Sequence, residues 1–194
     1  MRNSGDSIMI DGFKTKMLFT KAELQEMVVK VAYKMILAYS GKLARGEKLA
    51  VVIVLNGAMP FAVDVLRAAK LQVETYTIKA NSYDGIVRSE PFLSGMDFVF
   101  GKLEGTHVLI IEDIVDTGRT VKAVKEAIVS RHNPKSCKIM TLLNKPSKRE
   151  VDVSVDFAAA EVDDVFVVGY GMDYKEQGRW MDCIVQLEGG DERT

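Results

Sequence analysis

The run Leu49-Ala-Val-Val-Ile-Val-Leu55 is apolar at every position and rich in β-branched side chains. A strand with one wet face alternates apolar and polar residues. A run without alternation has both faces covered, as in a parallel sheet between helices. His107-Val-Leu-Ile-Ile111 repeats the pattern, and Cys137 to Leu143 carries another strand signal. Residues 59–70 read as a helix with Pro60 in its first turn, where a missing N–H is harmless. A second helix is expected from about Thr117 to Ser130, and a strand at 71–79 with alternating Val73, Thr75 and Thr77. Such strand–helix alternation predicts an α/β fold with a parallel sheet and right-handed crossovers.

Upstream, Thr20 and Glu23 have capping-box spacing. Met27, Val28, Val31, Met35 and Ile36 then fall on one helical face, so a long helix is expected to about Leu43. Residues 1–19 carry no clear signal. The last fifty residues hold short strand signals near Phe157, Phe166–Gly169 and Cys183–Leu187, without a long helix. Gly85, Pro91, Gly95 and Gly101 break the pattern over 80–105, a stretch too long for an ordinary connection and typical of a lid or binding loop. No repeat, low-complexity segment or linker divides the chain. One domain over 1–194 is expected, with a core at about 45–155 and a cap built from about 1–20 and 156–194.

With 26 basic and 27 acidic side chains, the net charge is -1. A nucleic-acid binder would carry a basic excess, and an anionic membrane surface has nothing to attract it. Cys137 and Cys183 are too few for a disulfide framework, and no Cys–His cluster has zinc spacing. The N-terminus has no signal-peptide pattern, and the longest apolar run is far short of the ~20 residues that span a bilayer. A cytoplasmic protein is the expectation.

The chemistry is concentrated in His107-Val-Leu-Ile-Ile-Glu-Asp-Ile-Val-Asp-Thr-Gly-Arg-Thr120. A buried strand ends in Glu112-Asp113, a short loop holds Asp116-Thr117-Gly118, and a helix opens. Ligands of parallel sheets bind outside the carboxyl ends of the strands. A glycine turn at a helix N-terminus presents N–H groups and positive dipole to a phosphate, and Thr117 and Thr120 add hydroxyls. Two adjacent carboxylates suit sugar hydroxyls or a hard cation such as Mg²⁺. The string points to a sugar phosphate with a metal nearby, against the plainer reading of Asp116 as a helix cap and Glu112-Asp113 as a solvated strand end.

This string resembles the signature of the type I phosphoribosyltransferases, which bind 5-phosphoribosyl 1-pyrophosphate (PRPP). Leu55 to Ala58, Ser82-Tyr83 and Leu142 to Arg179 extend the resemblance to the hypoxanthine-guanine branch, over most of residues 20–188. The most discriminating part is Leu143-Asn-Lys145, then Phe166-Val-Val-Gly-Tyr-Gly-Met-Asp173, then Arg179. The resemblance implies a central, mostly parallel sheet flanked by helices, with a small hood from the chain ends. It implies a Mg²⁺-dependent purine-salvage enzyme that joins hypoxanthine or guanine to PRPP, as a homodimer or homotetramer.

Residue by residue, the resemblance implies that Glu112 and Asp113 hold the ribose hydroxyls, directly or through Mg²⁺. Asp116, Thr117, Gly118, Arg119 and Thr120 cradle the 5′-phosphate, and Asp116 approaches purine N7 as general base. Lys145 donates to the oxygen at position 6, Phe166 stacks on the base, and Val167 reads its edge. Asp173 binds a second Mg²⁺ beside the purine site, and Arg179 contacts pyrophosphate. Asn56-Gly57 is a pyrophosphate loop with an unusual peptide geometry, and Ser82-Tyr83 belong to a mobile lid. A buried lysine facing position 6 would reject adenine, whose amino group meets a donor with a donor.

Each residue also has a plainer reading. Lys145 could belong to a solvated basic run with Lys148 and Arg149; Phe166 could be core, Asp173 a turn residue, Arg179 surface and Tyr83 an ordinary loop residue. Trp180 is read as packing, and His107 and His132 receive no role. The chain departs from the family at Asn56, where relatives carry Lys, and at Gly178, where an aromatic is common. The alternatives are a xanthine- or pyrimidine-preferring transferase, or a PRPP-sensing regulator. The regulator lacks a basic face or an added DNA-binding domain here. No Walker A, His-Glu-x-x-His or Gly-x-Ser-x-Gly pattern is present.

Overall fold

The computed structural model describes residues 8–81, 92–94 and 103–189. Its strands are β1 (Met9–Ile10), β2 (Phe13–Phe19), β3 (Leu49–Leu55), β4 (Glu74–Asn81), β5 (Phe92–Ser94), β6 (His107–Val115), β7 (Ser136–Asn144), β8 (Phe157–Glu161), β9 (Val167–Val168) and β10 (Ile184–Glu188). The helices are α1 (Lys21–Ala44), α2 (Met59–Ala69) and α3 (Arg119–His132).

The core sheet has the order β5-β4-β3-β6-β7-β8. All neighbours run parallel except β5, which is antiparallel to β4. The unalternating runs are buried on both faces. Val51, Ile53, Leu109, Ile111, Met140 and Leu142 pack in one layer with residues of α1 and α2. Ala50, Val52, Val54, Val108, Ile110 and Ile139 pack in the other with Val121, Val124 and Ile128 of α3. Each large aliphatic side chain so buried contributes about 1.5–3 kcal/mol. The capping box forms: the Glu23 N–H donates to Thr20 Oγ1 at 3.3 Å, and the Thr20 N–H donates to Glu23 Oε2 at 2.8 Å.

A second, antiparallel sheet has the order β1-β2-β10-β9. Both ends of the chain build it, as expected of a hood. β8 lies within the stretch assigned from sequence to the hood, yet it is the edge strand of the core sheet. The hood sheet resumes only at β9. Trp180 corrects another expectation: it is 82% exposed, so it does not pack in the interior. Among the described residues, no helix is long and apolar enough to cross a membrane.

The chain leaves β3 toward β4 on one side and continues through β6, β7 and β8 on the other. The crevice between the carboxyl ends of β3 and β6 is thus the topological switch point, where open α/β sheets bind ligands. Asn56-Gly57 follows β3 there, and Glu112 to Val115 finish β6.

Candidate active site

β6 continues through Val115, and α3 begins at Arg119 rather than near Thr117. The left-handed Gly118, with φ +82°, precedes the helix, and no side chain caps it. Asp116 is therefore not the helix cap. Its Oδ1 accepts from the Thr117 N–H at 2.5 Å instead, stiffening the loop. The Arg119 N–H donates to Thr117 Oγ1 at a long 3.4 Å, and the N–H groups that follow it at the start of α3 stand beside the crevice, the arrangement that attracts an anion.

Glu112 is 7% exposed, and its Oε1 accepts from the Asp113 N–H at 3.1 Å. Asp113 Oδ1 accepts from the Ile114 N–H at 2.7 Å. Burial, and then the neighbouring Asp113 charge, push the Glu112 carboxyl well above the usual range. Burial also raises Asp113, against the opposing pull of its hydrogen bonds and of Arg179. Two buried carboxylates this close call for a cation or hydroxyl donors. Among the described residues no three His, Cys, Asp or Glu groups converge as a metal cluster.

Two cavities meet here. The first, about 340 Å³, is lined by Asn56, Gly57, Glu112, Asp113, Asp116, Gly118, Thr120, Asp173 and Arg179, among others. The second, about 310 Å³, is lined by Asp113, Ile114, Asp116, Lys145, Lys148, Phe166, Val167, Met172 and Asp173. Asp113, Ile114, Asp116 and Asp173 belong to both. The Leu55–Asn56 peptide is cis, the unusual geometry expected at that loop.

Lys145 directly follows β7, and it is 4% exposed. Its Nζ donates to the Val165 carbonyl at 2.7 Å. It is thus not one of a solvated run. Phe166 meets the ring of Tyr174 edge-on at 5.5 Å, and Val167 is buried on β9. Arg179 Nη1 donates to the Gly171 carbonyl at 3.0 Å, and Nη2 pairs with Asp173 Oδ1 at 2.7 Å. The other Asp173 oxygen accepts from the Glu176 N–H at 2.8 Å. Gly178 has φ +92°, and a Cβ there would lie 2.2 Å from Val168 Cγ1. The departure at this position fits a left-handed turn pressed against the hood.

Thr117 and Arg119 line neither cavity. The Arg119 guanidinium instead pairs with Glu150 at 2.6 Å. Ser82 and Tyr83 lie outside the described residues. Sequence reasoning passed over Ile114, Met172 and Lys148 as cavity walls, and it mentioned Arg149 only in the plainer reading of a solvated basic run. Arg149 Nη2 donates to Asn144 Oδ1 at 2.6 Å, and its side chain packs beside Gly118. Burial lowers its pKa. Lys148 reaches the wall because Pro146–Lys148 is a 3₁₀ turn, in which residues three apart share a side.

A parallel sheet with a carboxylate pair at its switch point, a glycine turn opening a helix and an antiparallel hood define a phosphoribosyltransferase. The chain belongs to the phosphoribosyl transferase domain family, which it matches over residues 20–175. It is similar to the hypoxanthine phosphoribosyltransferase of Haemophilus influenzae, 40% identical over 69% of this chain and 74% of that protein. It is also similar to the hypoxanthine-guanine phosphoribosyltransferase of Bacillus subtilis, 35% identical over 89% and 93% of the two chains. The solved structure of Trypanosoma cruzi hypoxanthine phosphoribosyl transferase superposes with a TM-score of 0.80 at 32% identity, covering 93% of this chain and 95% of that one.

Proposed function

We propose that the chain is a hypoxanthine-guanine phosphoribosyltransferase that forms the nucleoside monophosphate and pyrophosphate from a 6-oxopurine and PRPP. The observation that carries the reading is the junction of two cavities at Asp116. One has carboxylates and an uncapped helix N-terminus, suited to a charged sugar phosphate. The other has a buried ammonium and an aromatic ring, suited to a planar base with a carbonyl.

The reaction breaks the bond from C1′ to pyrophosphate, whose oxygen keeps the electron pair. A purine ring nitrogen forms the new bond to C1′, and the base loses a proton. Asp116, bordering both cavities, takes up or steers that proton. The N–H groups at the start of α3, with the Thr120 hydroxyl, hold the 5′-phosphate. Arg179 and the Asn56-Gly57 loop face pyrophosphate. Lys145 donates to the oxygen at position 6, with Phe166 against the ring face and Val167 at its edge.

Glu112 and Asp113 hold the ribose hydroxyls and, with Asp173, Mg²⁺. When bound, Mg²⁺ neutralises charge on the leaving group. The lid role of Ser82 and Tyr83, which would keep water from an oxocarbenium-like transition state, belongs to the same proposal. So do a cytoplasmic setting and assembly as a dimer or tetramer. In the Trypanosoma cruzi relative, the C-terminal region has a role in oligomeric state and activity. Incubation with hypoxanthine, PRPP and Mg²⁺ tests the reading: equal yields of inosine monophosphate and pyrophosphate are expected, and their absence would refute it.

A further inference from the structure

Lys145 and Lys148 both line the smaller cavity, and one carboxylate oxygen faces both ammonium groups. Asp164 Oδ1 lies 2.8 Å from Lys148 Nζ and 3.5 Å from Lys145 Nζ. Asp164 itself is not in the cavity wall. It immediately precedes Val165, whose carbonyl accepts from Lys145, and Phe166, which walls the cavity.

We propose that Asp164 is a positioning residue for base recognition: it ties the Lys145 and Lys148 ammonium groups together at one edge of the purine cavity. This rests on the transferase reading given above. In it, Lys145 addresses the oxygen at position 6, and Lys148 is a second specificity contact along the same edge.

The physics favours a positioning role over a surface ion pair. Exposed pairs contribute little, because water screens both charges. Asp164 is 42% exposed, but the Lys145 side chain is only 5% exposed, so the lysine's charge is poorly hydrated and depends on fixed partners. An ammonium has three donors in a rotatable head. The Val165 carbonyl takes one, and Asp164 supplies a second anchor, which fixes where the remaining donor points. Two ammonium groups close together also repel, and the shared carboxylate offsets that repulsion. Lys148, mainly, and Lys145 hold Asp164 below the usual carboxylate range, so it stays charged at neutral pH. Removing its charge leaves Lys145 on the Val165 carbonyl and takes from Lys148 the carboxylate that offsets its like-charged neighbour.

The test compares the full-length protein with Asp164→Asn, Asp164→Glu and Lys148→Met. The expected result for Asp164→Asn is a KM for hypoxanthine raised about tenfold, the scale of one weakened charge-assisted hydrogen bond. The KM for PRPP should stay within about twofold, discrimination against adenine should fall, and Asp164→Glu should restore most of the loss. In the Lys148→Met background, Asp164→Asn should cost less than it does alone, because the two residues act as a coupled pair. Unchanged hypoxanthine KM and adenine discrimination in Asp164→Asn would overturn the proposal. So would a uniform loss for every base together with a raised PRPP KM, which marks a structural role.

Amine labelling with acetic anhydride, read by mass spectrometry, supplies a readout independent of activity. Lys145 and Lys148 should label faster in Asp164→Asn than in the wild type, and equal rates would defeat the tie. A wild-type chain that makes no nucleotide would defeat the transferase reading instead, while the labelling would still decide whether Asp164 holds the two lysines.

Discussion

Asp113 lies so close against Gly57 that a Cβ on the glycine would come within 1.6 Å of its Oδ2. The loop after β3 and the end of β6 are thus fitted to each other through a missing side chain. Gly57→Ala must push the carboxylate aside by about the distance that costs a site 100-fold in rate. A fall of about 100-fold in kcat/KM, with the far-UV spectrum unchanged, is the expected outcome; steady-state kinetics of the purified variant checks it.

The buried carboxylate pair sets activity against stability. Glu112 has a folded-state pKa raised well above its ordinary 4.5, first by burial and then by Asp113. The native state therefore binds protons more readily than the unfolded chain, and stability falls as pH rises above about 4.5 toward the raised value. Glu112→Gln removes this penalty. It should raise the Tm of the free protein at neutral pH, by about 2–4 °C for each kcal/mol relieved, while lowering activity. Calorimetry should find the gap between variant and wild type narrowing in acid. A lower Tm for the variant at neutral pH would contradict the account.

Asp116→Asn separates proton transfer from binding. Loss of a general base costs about 10²–10⁴-fold in turnover. PRPP affinity, measured by calorimetric titration with Mg²⁺ present, should change by less than about threefold. An equal loss in turnover and in PRPP binding would remove the general-base role.

A second charge cluster lies far from the crevice, at the amino ends of the strands. Glu47 Oε2 meets His107 Nε2 at 3.0 Å and also pairs with Lys135, while Oε1 pairs with Arg45 at 2.9 Å. His107 Nδ1 meets Ser136 Oγ at 2.7 Å. Lys135 and then His107 push the Glu47 carboxyl down to about 2. A depressed acid stabilises the fold above its unfolded pKa, near 4.5, and loses that contribution as pH falls toward 2. Glu47→Gln should therefore lower Tm at pH 7, with the difference shrinking below about pH 4.5. Activity at pH 7 should be close to wild type. Thermal melts across that range check the sign.

Much of this was legible in the chain because local signals and tertiary demands agreed. Leu49–Leu55 reads as doubly buried, and both of its faces are covered. Thr20 and Glu23 cap α1 as their spacing requires. The features that escaped are set by distant partners. β2, with Lys14 and Lys16 within it, is a strand because β10 from the other end of the chain pairs with it. Arg149 looks like part of a basic run, yet Asn144 and the Gly118 turn enclose its guanidinium. Trp180 has a strongly apolar side chain, but the loop that carries it turns it outward. Lys148 joins the cavity wall only through the 3₁₀ turn after β7.

The most direct test of the central claim supplies hypoxanthine, guanine, xanthine, adenine and uracil separately to the protein with PRPP and Mg²⁺, and measures nucleotide by chromatography. The account predicts monophosphate from hypoxanthine or guanine and none from adenine or uracil, because in the proposed reading the buried Lys145 ammonium would meet the base at position 6. Product from adenine at a comparable rate, or no product from any base while PRPP still binds, would contradict it.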